Sequence, residues 1–342
     1  MPFTRRELLA SCIAAGGAVA CPSLAAAQPP PPQNPRRRTL RIAHLTDIHV
    51  QPELDAARGL AACFAHVQSL PERLGIEAPD MIVTGGDTIM DAMDADMART
   101  RLQWELWRKT KADHCGLEIR SVIGNHDVWG WGKTKAGTTG DEPLYGKHWA
   151  CDEFGRDKPY ASFDRGGWHI VLLDSVFPFG EGYIGRLDEA QWDWFEADLA
   201  AVDPAMPVAV FSHIPILSAT GLAVASPPPD STPQDSTVPD SSVPDGPPPG
   251  LQVPANRIHV DGRRFLKTFA ARPNVKACLS GHMHLVEQLD YQGVRHLCNG
   301  AVSAGWWKGR NLGTDFGYAI VDLHDDGTVE RRYVPYGWTA PS

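Results

Sequence analysis

Leu40-Arg41-Ile42-Ala43-His44-Leu45-Thr46-Asp47-Ile48-His49 opens the folded part of the chain. Six alternating, largely apolar residues are a strand signature. They run directly into an acid and an imidazole two positions apart. Open α/β sheets build their sites from such residues, because loops at the carboxyl ends of strands meet in space although distant in sequence. Outward from there, Leu54–Leu74 carries apolar residues at helical spacing and stops before Gly75. Asp80–Thr84 is a short apolar run ending in Gly85-Gly86, Ala95–Lys111 predicts a helix, and Glu118–Ile123 predicts another strand. Strand and helix alternate, as in a mixed or parallel α/β sheet.

Beyond this point Val128–Lys158, dense in Gly, Trp and Lys, reads as a long surface loop. Strands are predicted at Tyr160–Phe163, Trp168–Asp174 and Val208–Phe211, with a helix at Asp188–Ala201 between the last two. A helix at Gly262–Ala271 and strands at Val275–Ser280, Val286–Tyr291, Val294–Leu297, Gly317–Leu323 and Val329–Pro335 complete the chain. The strands crowded at the end predict a second sheet packed on the first. Between them Ser226–Gly250 is Pro, Asp and Ser in a loose tandem, with too little apolar surface to offset its ordering entropy; a disordered insertion at 226–250 is expected.

Five short clusters follow predicted strands in order: Asp47-Ile48-His49, Gly86-Asp87, Gly124-Asn125-His126-Asp127, Ser212-His213 and Gly281-His282-Met283-His284. Any one alone could be a turn with a capping acid. Together they supply three oxygen donors (Asp47, Asp87, Asn125) and four imidazoles (His49, His213, His282, His284). One ion would leave several unused, whereas two ions sharing a carboxylate use all seven. Mixed N/O donors without thiolate suit iron, manganese, zinc or cobalt. Two adjacent cations lower the pKa of water between them and clamp a phosphoryl group. They would also supply positive charge to a chain of formal charge −9, a balance that argues against general nucleic-acid binding.

The ordered set D-x-H, G-D, G-N-H-D, H and G-H-x-H resembles the calcineurin-like metallophosphoesterase superfamily over about 40–285. It is most similar to the bacterial branch with the class III cyclic-nucleotide phosphodiesterases. Purple acid phosphatases carry a Tyr ligand in G-D-x-x-Y, where this chain has Met90. The resemblance implies a four-layer α/β/β/α sandwich of two mixed β-sheets flanked by helices, and a small-molecule phosphoester substrate. It implies one metal held by Asp47, His49, Asp87 and His284, and another by Asp87, Asn125, His213 and His282. A metal-bridging hydroxide would attack phosphorus, with Asn125 and His126 on the substrate and His126 assisting the leaving oxygen. Members with G-D-x-x-D orient that His with the second Asp; here that position is Met90 and the next acid is Asp91. Phosphodiester hydrolysis is the expected activity, with a phosphomonoesterase or a non-catalytic metal-binding scaffold as alternatives.

The N-terminus reads as an address. Arg5-Arg6, the apolar Ala10–Ala20 and Ala25-Ala26-Ala27 follow the order of a twin-arginine signal over residues 1–27. A Pro/Arg-rich linker at 28–38 and a catalytic domain at 39–338 would follow. The apolar run is too short to span a membrane. These features predict export by the twin-arginine machinery to the periplasm or beyond, with lipid anchoring through Cys21 as the alternative. Of the remaining cysteines, Cys63, Cys115, Cys151, Cys278 and Cys298, none makes a C-x-x-C pair, which argues against a zinc ribbon. Trp129, Trp131, Trp306 and Trp307 flank the motifs as candidate substrate contacts or loop packing, Lys133 and Lys135 as phosphate contacts or solvated lysines, and Asp127 as ligand support or a turn cap. His44, His66, His169, His259 and His296 read as core or surface histidines, and Asn299-Gly300 as a turn.

Overall fold

The structure, a computed structural model, describes residues 36–223 and 252–341. The expected signal at 1–27, most of the 28–38 linker and the 226–250 insertion lie outside the described residues.

Strands β1 (Arg38–Leu45), β2 (Met81–Thr84) and β3 (Ile119–Ser121) are parallel neighbours. Strands β4 (Ala161–Arg165), β5 (Trp168–Leu172), β6 (Val176–Phe179), β7 (Gly182–Gly185), β8 (Val208–Phe211), β9 (Val275–Ser280), β10 (Glu287–Tyr291), β11 (Val294–Cys298), β12 (Gly317–His324) and β13 (Val329–Pro335) follow. One mixed sheet has the order β13-β12-β1-β2-β3, the other β10-β11-β9-β8-β5-β4, and β6-β7 is a separate hairpin. The terminal strands are thus divided, which corrects the expectation that they form the second sheet. β9–β11 lie in that sheet, while β12 and β13 return to the first, with Ile42 opposite Val321. Nothing in their alternation could tell which sheet they would join.

Helices α1 (Ala56–Gln68), α2 (Leu70–Leu74), α3 (Met97–His114), α4 (Lys133–Ala136), α5 (His148–Glu153), α6 (Glu189–Ala201), α7 (Thr220–Ala223) and α8 (Gly262–Ala270) complete the described elements. The helix expected over Leu54–Leu74 breaks at Ser69, because Pro71 suits the first turn of a new helix rather than the interior of an old one. Asp96 and Asp188 cap α3 and α6 by accepting from the Arg99 and Gln191 amides.

Strand alternation generates the layers. Leu40 and Ile42 of β1 face Trp168, Ile170, Ala209, Phe211 and Leu279 in a core between the sheets. Ala43 and Leu45 point the other way, onto Leu60, Phe64, Trp104 and Trp107 of α1 and α3. On the far side Val171, Val208 and Val210 meet Trp192, Phe195, Phe265 and Phe269 of α6 and α8. The result is the four-layer sandwich of two mixed sheets flanked by helices. The expected surface loop Val128–Lys158 is instead an ordered part of the core edge. It contains α4 and α5 and buries Trp129, Trp131 and Trp149, because indole bulk is driven inward even from glycine-rich sequence. Among the described residues the five cysteines are free thiols, four of them buried. Among the described residues no helix is long and apolar enough to cross a membrane.

Candidate metal centre

All five clusters converge. Three groups of potential donors have their ligand atoms within 4.8 Å of one another: Asp47, His49 and His284; His49, Asp87 and His126; Asp87, His213 and His282. Asn125 joins the third, its Oδ1 lying 3.2 Å from His213 Nε2. Asp87 Oδ2 is 3.2 Å from His213 Nε2 and 3.6 Å from His49 Nε2, which places this carboxylate between the groups. His284 Nε2 is 3.2 Å from Asp47 Oδ1 and 3.1 Å from His49 Nε2.

The rings are fixed from behind. His213 Nδ1 donates to the Gly85 carbonyl at 2.8 Å, His284 Nδ1 to Ala304 at 2.6 Å, and His282 Nε2 to Asn256 at 2.8 Å. A carbonyl can only accept, so each ring carries its proton on the outer nitrogen and, when neutral, turns a lone pair inward. Lone pairs and carboxylate oxygens pointing at one another repel unless a cation lies among them. The donor set therefore fits the metal ions that the sequence implies.

Building this arrangement strains the backbone. Asp47, His49, Asp87, His282 and His284 all have left-handed φ, between 50° and 68°, a region costly for residues with a Cβ. Hydrogen bonds hold them there. The Asp47 carboxylate accepts from the His282 amide and the Thr46 hydroxyl. The His126 amide donates to Asp87 Oδ1 at 2.8 Å. Asp127 accepts from the Thr88, Ile89 and Gly124 amides, tying two strand-end loops together, so it is a brace rather than a simple turn cap. At Gly124 a Cβ would collide with Asp87, and at Gly281 with Thr46 and Asp47.

The electrostatics are those of a buried anionic nest. Burial opposes ionisation of Asp47 and Asp87, but the imidazoles of His284 and His213 respectively outweigh it and hold both carboxyls below their usual range. Burial likewise opposes protonation of His213, yet Asp87 beside it raises its pKa to about 9. In metal-free protein a proton on His213 thus supplies positive charge that a cation would otherwise bring. His282 is pushed down to about 3, first by burial and then by His213. Burial and the Asp87 charge push Asp127 up to about 7.

His126 is partly exposed. Its Nδ1 donates to the Met90 carbonyl, which leaves Nε2 open beside the cluster. A main-chain oxygen therefore occupies the role that a second acid in G-D-x-x-D would play. Asp91 is engaged elsewhere: its side chain accepts from the Asp94 amide.

A family model described as Calcineurin-like phosphoesterase matches residues 40–286. The chain belongs to this family. As a calcineurin-like phosphoesterase it is a metal-dependent phosphohydrolase. It is 25% identical over 246 residues to a Synechococcus protein named "Probable cyclic nucleotide phosphodiesterase", covering 72% of this chain and 74% of that one. Its fold resembles a dimetal phosphatase from Danio rerio (TM-score 0.51, 16% identity, 88% of this chain and all of that one). It also resembles GAP50 of Plasmodium, described as the anchor in the inner membrane complex (TM-score 0.50, 14% identity, 87% and 85%).

Other candidates divide. Trp129, Trp131 and Trp307 are buried packing residues, whereas Trp306 is 39% exposed with its ring centroid 4.5 Å from that of His284. Lys133 and Lys135 are spent on the Thr139 carbonyl and Asp94. Asn299 is not the expected turn residue: it is fully buried, its amide against His44 Nδ1 at 2.7 Å. His169 bridges Asp164 and Asp198, and His259 joins Ser212 to Asp261. The hairpin β6–β7 has no sequence expectation, yet it brings Tyr183 to 6.1 Å from the His282 ring. Pro178 within β6, Gly180 in the turn and Gly182 and Gly185 at the ends of β7 were its only signal.

Proposed function

We propose that this phosphoesterase cleaves phosphodiesters at a binuclear centre, with one ion held by Asp47, His49, Asp87 and His284 and the other by Asp87, Asn125, His213 and His282. The observation that carries this reading is the position of Asp87 between two groups of inward-turned imidazoles. When bound, two such ions withdraw charge from a phosphoryl group and ease deprotonation of water. The chain's own part is positional. The carbonyls of Gly85, Ala304 and Asn256 keep His213, His284 and His282 in the tautomer that offers a lone pair. His126, its Nδ1 steadied by Met90, faces the ester with Nε2 and, in the imidazolium form that carries a proton on both nitrogens, gives the Nε2 proton to the departing oxygen. Asp47 and Asp87, both buried, stay ionised and hold the cluster's charge.

The walls support a diester. Trp306 and Tyr183 flank the two groups, and aromatic flanks suit a second organic substituent better than the extra charge of a monoester. A monoesterase is the second reading, favoured by Arg257, whose charge acts on His282 and Tyr183. The test is turnover of bis-(p-nitrophenyl) phosphate against p-nitrophenyl phosphate, with metal content measured on the same sample. Faster cleavage of the diester and about two metal equivalents are expected. Exclusive cleavage of the monoester, or a single equivalent at full activity, overturns the proposal.

A further inference from the structure

The segment from Ser303 to Trp307 is clamped onto the backbone of the first motif. Ser303 Oγ donates to the Asp47 carbonyl at 2.7 Å, and the buried Trp307 indole donates to the carbonyls of Ile48 and His49, each at 3.0 Å. Ala304, Trp306 and Trp307 all stand in left-handed φ, at 47°, 53° and 68°. Three such residues in one short turn are strain, and strain persists only where surrounding contacts over-determine it. Here it turns two adjacent indoles in opposite senses. Trp307 goes into the core, fully buried. Trp306 goes over the site, with its centroid 4.5 Å from His284 and 6.2 Å from His49. The His126 ring lies on His49 as well, at 4.7 Å.

Trp306 nonetheless keeps 39% of its surface exposed. Its ring packs on His284 at an interplanar angle of 35°, yet over a third of the residue stays exposed where a large apolar ring is otherwise driven under cover. A ring needed only to shield His284 would gain by closing down on it.

We propose that the open face of Trp306 is a stacking platform for an aromatic group on the phosphoester, of phenyl or nucleobase size, making this residue a determinant of substrate specificity. The proposal rests on the phosphoesterase site described above. An ester held beside His126 lies within the reach of two successive ring contacts, from His126 to His49 and from His49 to Trp306. A flat substituent projecting from phosphorus toward that side meets the indole face. Stacking is tolerant of the identity of the ring, because every base or aryl group offers a π face. It selects aromatic over aliphatic esters, not one base over another.

The experiment measures the affinity of the metal-loaded protein for phenylphosphonate and methylphosphonate by titration calorimetry, alongside hydrolysis of bis-(p-nitrophenyl) phosphate. The unaltered protein is expected to bind phenylphosphonate about tenfold more tightly or better. Trp306→Ala should bring the two affinities together by weakening the phenyl ligand alone, and Trp306→Phe should keep most of the preference. Trp306→Leu retains bulk without a π face and should behave like the alanine variant, which covers the case where alanine disturbs the turn. No preference in the unaltered protein, or an equal loss for both ligands in Trp306→Ala and Trp306→Leu, overturns the platform: the ring then only steadies His284. Hydrolysis by the unaltered protein with an unmoved preference sinks this inference alone. Absence of both hydrolysis and phosphonate binding sinks the phosphoesterase site and this inference with it.

Discussion

The two donor groups use the same chemistry but are held in different ways. Asp47, His49 and His284 are held by the turn at Ser303–Trp307: Ser303 Oγ donates to the Asp47 carbonyl, the Ala304 carbonyl accepts from His284 Nδ1, and the buried Trp307 indole donates to the carbonyls of Ile48 and His49. Asp87, Asn125 and His213 are held by a polar brace, the buried Asp127 carboxylate, which gathers amides from Thr88, Ile89 and Gly124. A turn anchored by a buried indole fixes one half and a hydrogen-bonded acid the other. Either device gives donors that do not rearrange when a ligand arrives.

The largest effect should come from the residue between the halves. Asp87→Ala is expected to lower kcat by about a thousandfold or more and to deplete both metal equivalents; loss of one equivalent alone would show that the halves are independent. His126→Ala should cost about 10²–10⁴-fold in kcat with metal content unchanged, and a parallel loss of metal would make it a ligand instead. Asp127→Ala and Trp307→Phe separate the two braces. Each should cost about 10–100-fold in metal affinity or activity. The first should loosen the site containing Asn125 and His213, and the second the site containing His49. Cobalt-substituted protein would read this out through the absorption of each site, and identical spectra from the two variants would merge the halves into one unit.

The smallest effect concerns the frame. Burial opposes protonation of His169, but hydrogen bonds that its ring donates to Asp198 and Asp164 outweigh it and raise its pKa above the ordinary 6.5. The folded state therefore holds this proton more tightly than the unfolded chain. The contribution is fully present below about pH 6.5 and is lost as pH rises through the raised folded value. Thermal unfolding of His169→Gln should lack this component of the alkaline decline while kcat stays unchanged; an identical decline in both proteins would discard the assignment.

Much of the site was legible because its residues sit directly after strands whose alternation is plain, as at Leu40–Leu45 before Asp47 and Val275–Ser280 before His282. Motif order then singled out, without three-dimensional information, residues whose donor atoms converge in the structure. What stayed hidden depends on contacts between distant segments. The Met90 carbonyl behind His126 is a backbone group, and backbone groups leave no trace in residue identity. Tyr183 reaches His282 from a hairpin whose strands are only four residues each. The division of labour between Trp306 and Trp307 turns on dihedral angles, not on composition. The sheet joined by β12 and β13 was equally unreadable, since either would have buried the same alternation.

That last feature bears on how the molecule is made. β1 leaves the ribosome long before the neighbour on one of its edges, β12, with Arg41 facing Asp322 across the pair. Until then a central strand has a bare rim of amides and carbonyls, the kind of rim that recruits stray chains. Closure of this ladder is long-range and correspondingly slow. The nascent protein thus passes through a vulnerable interval that ends only when β12 arrives, and a chaperone shielding β1 would be most useful in that interval.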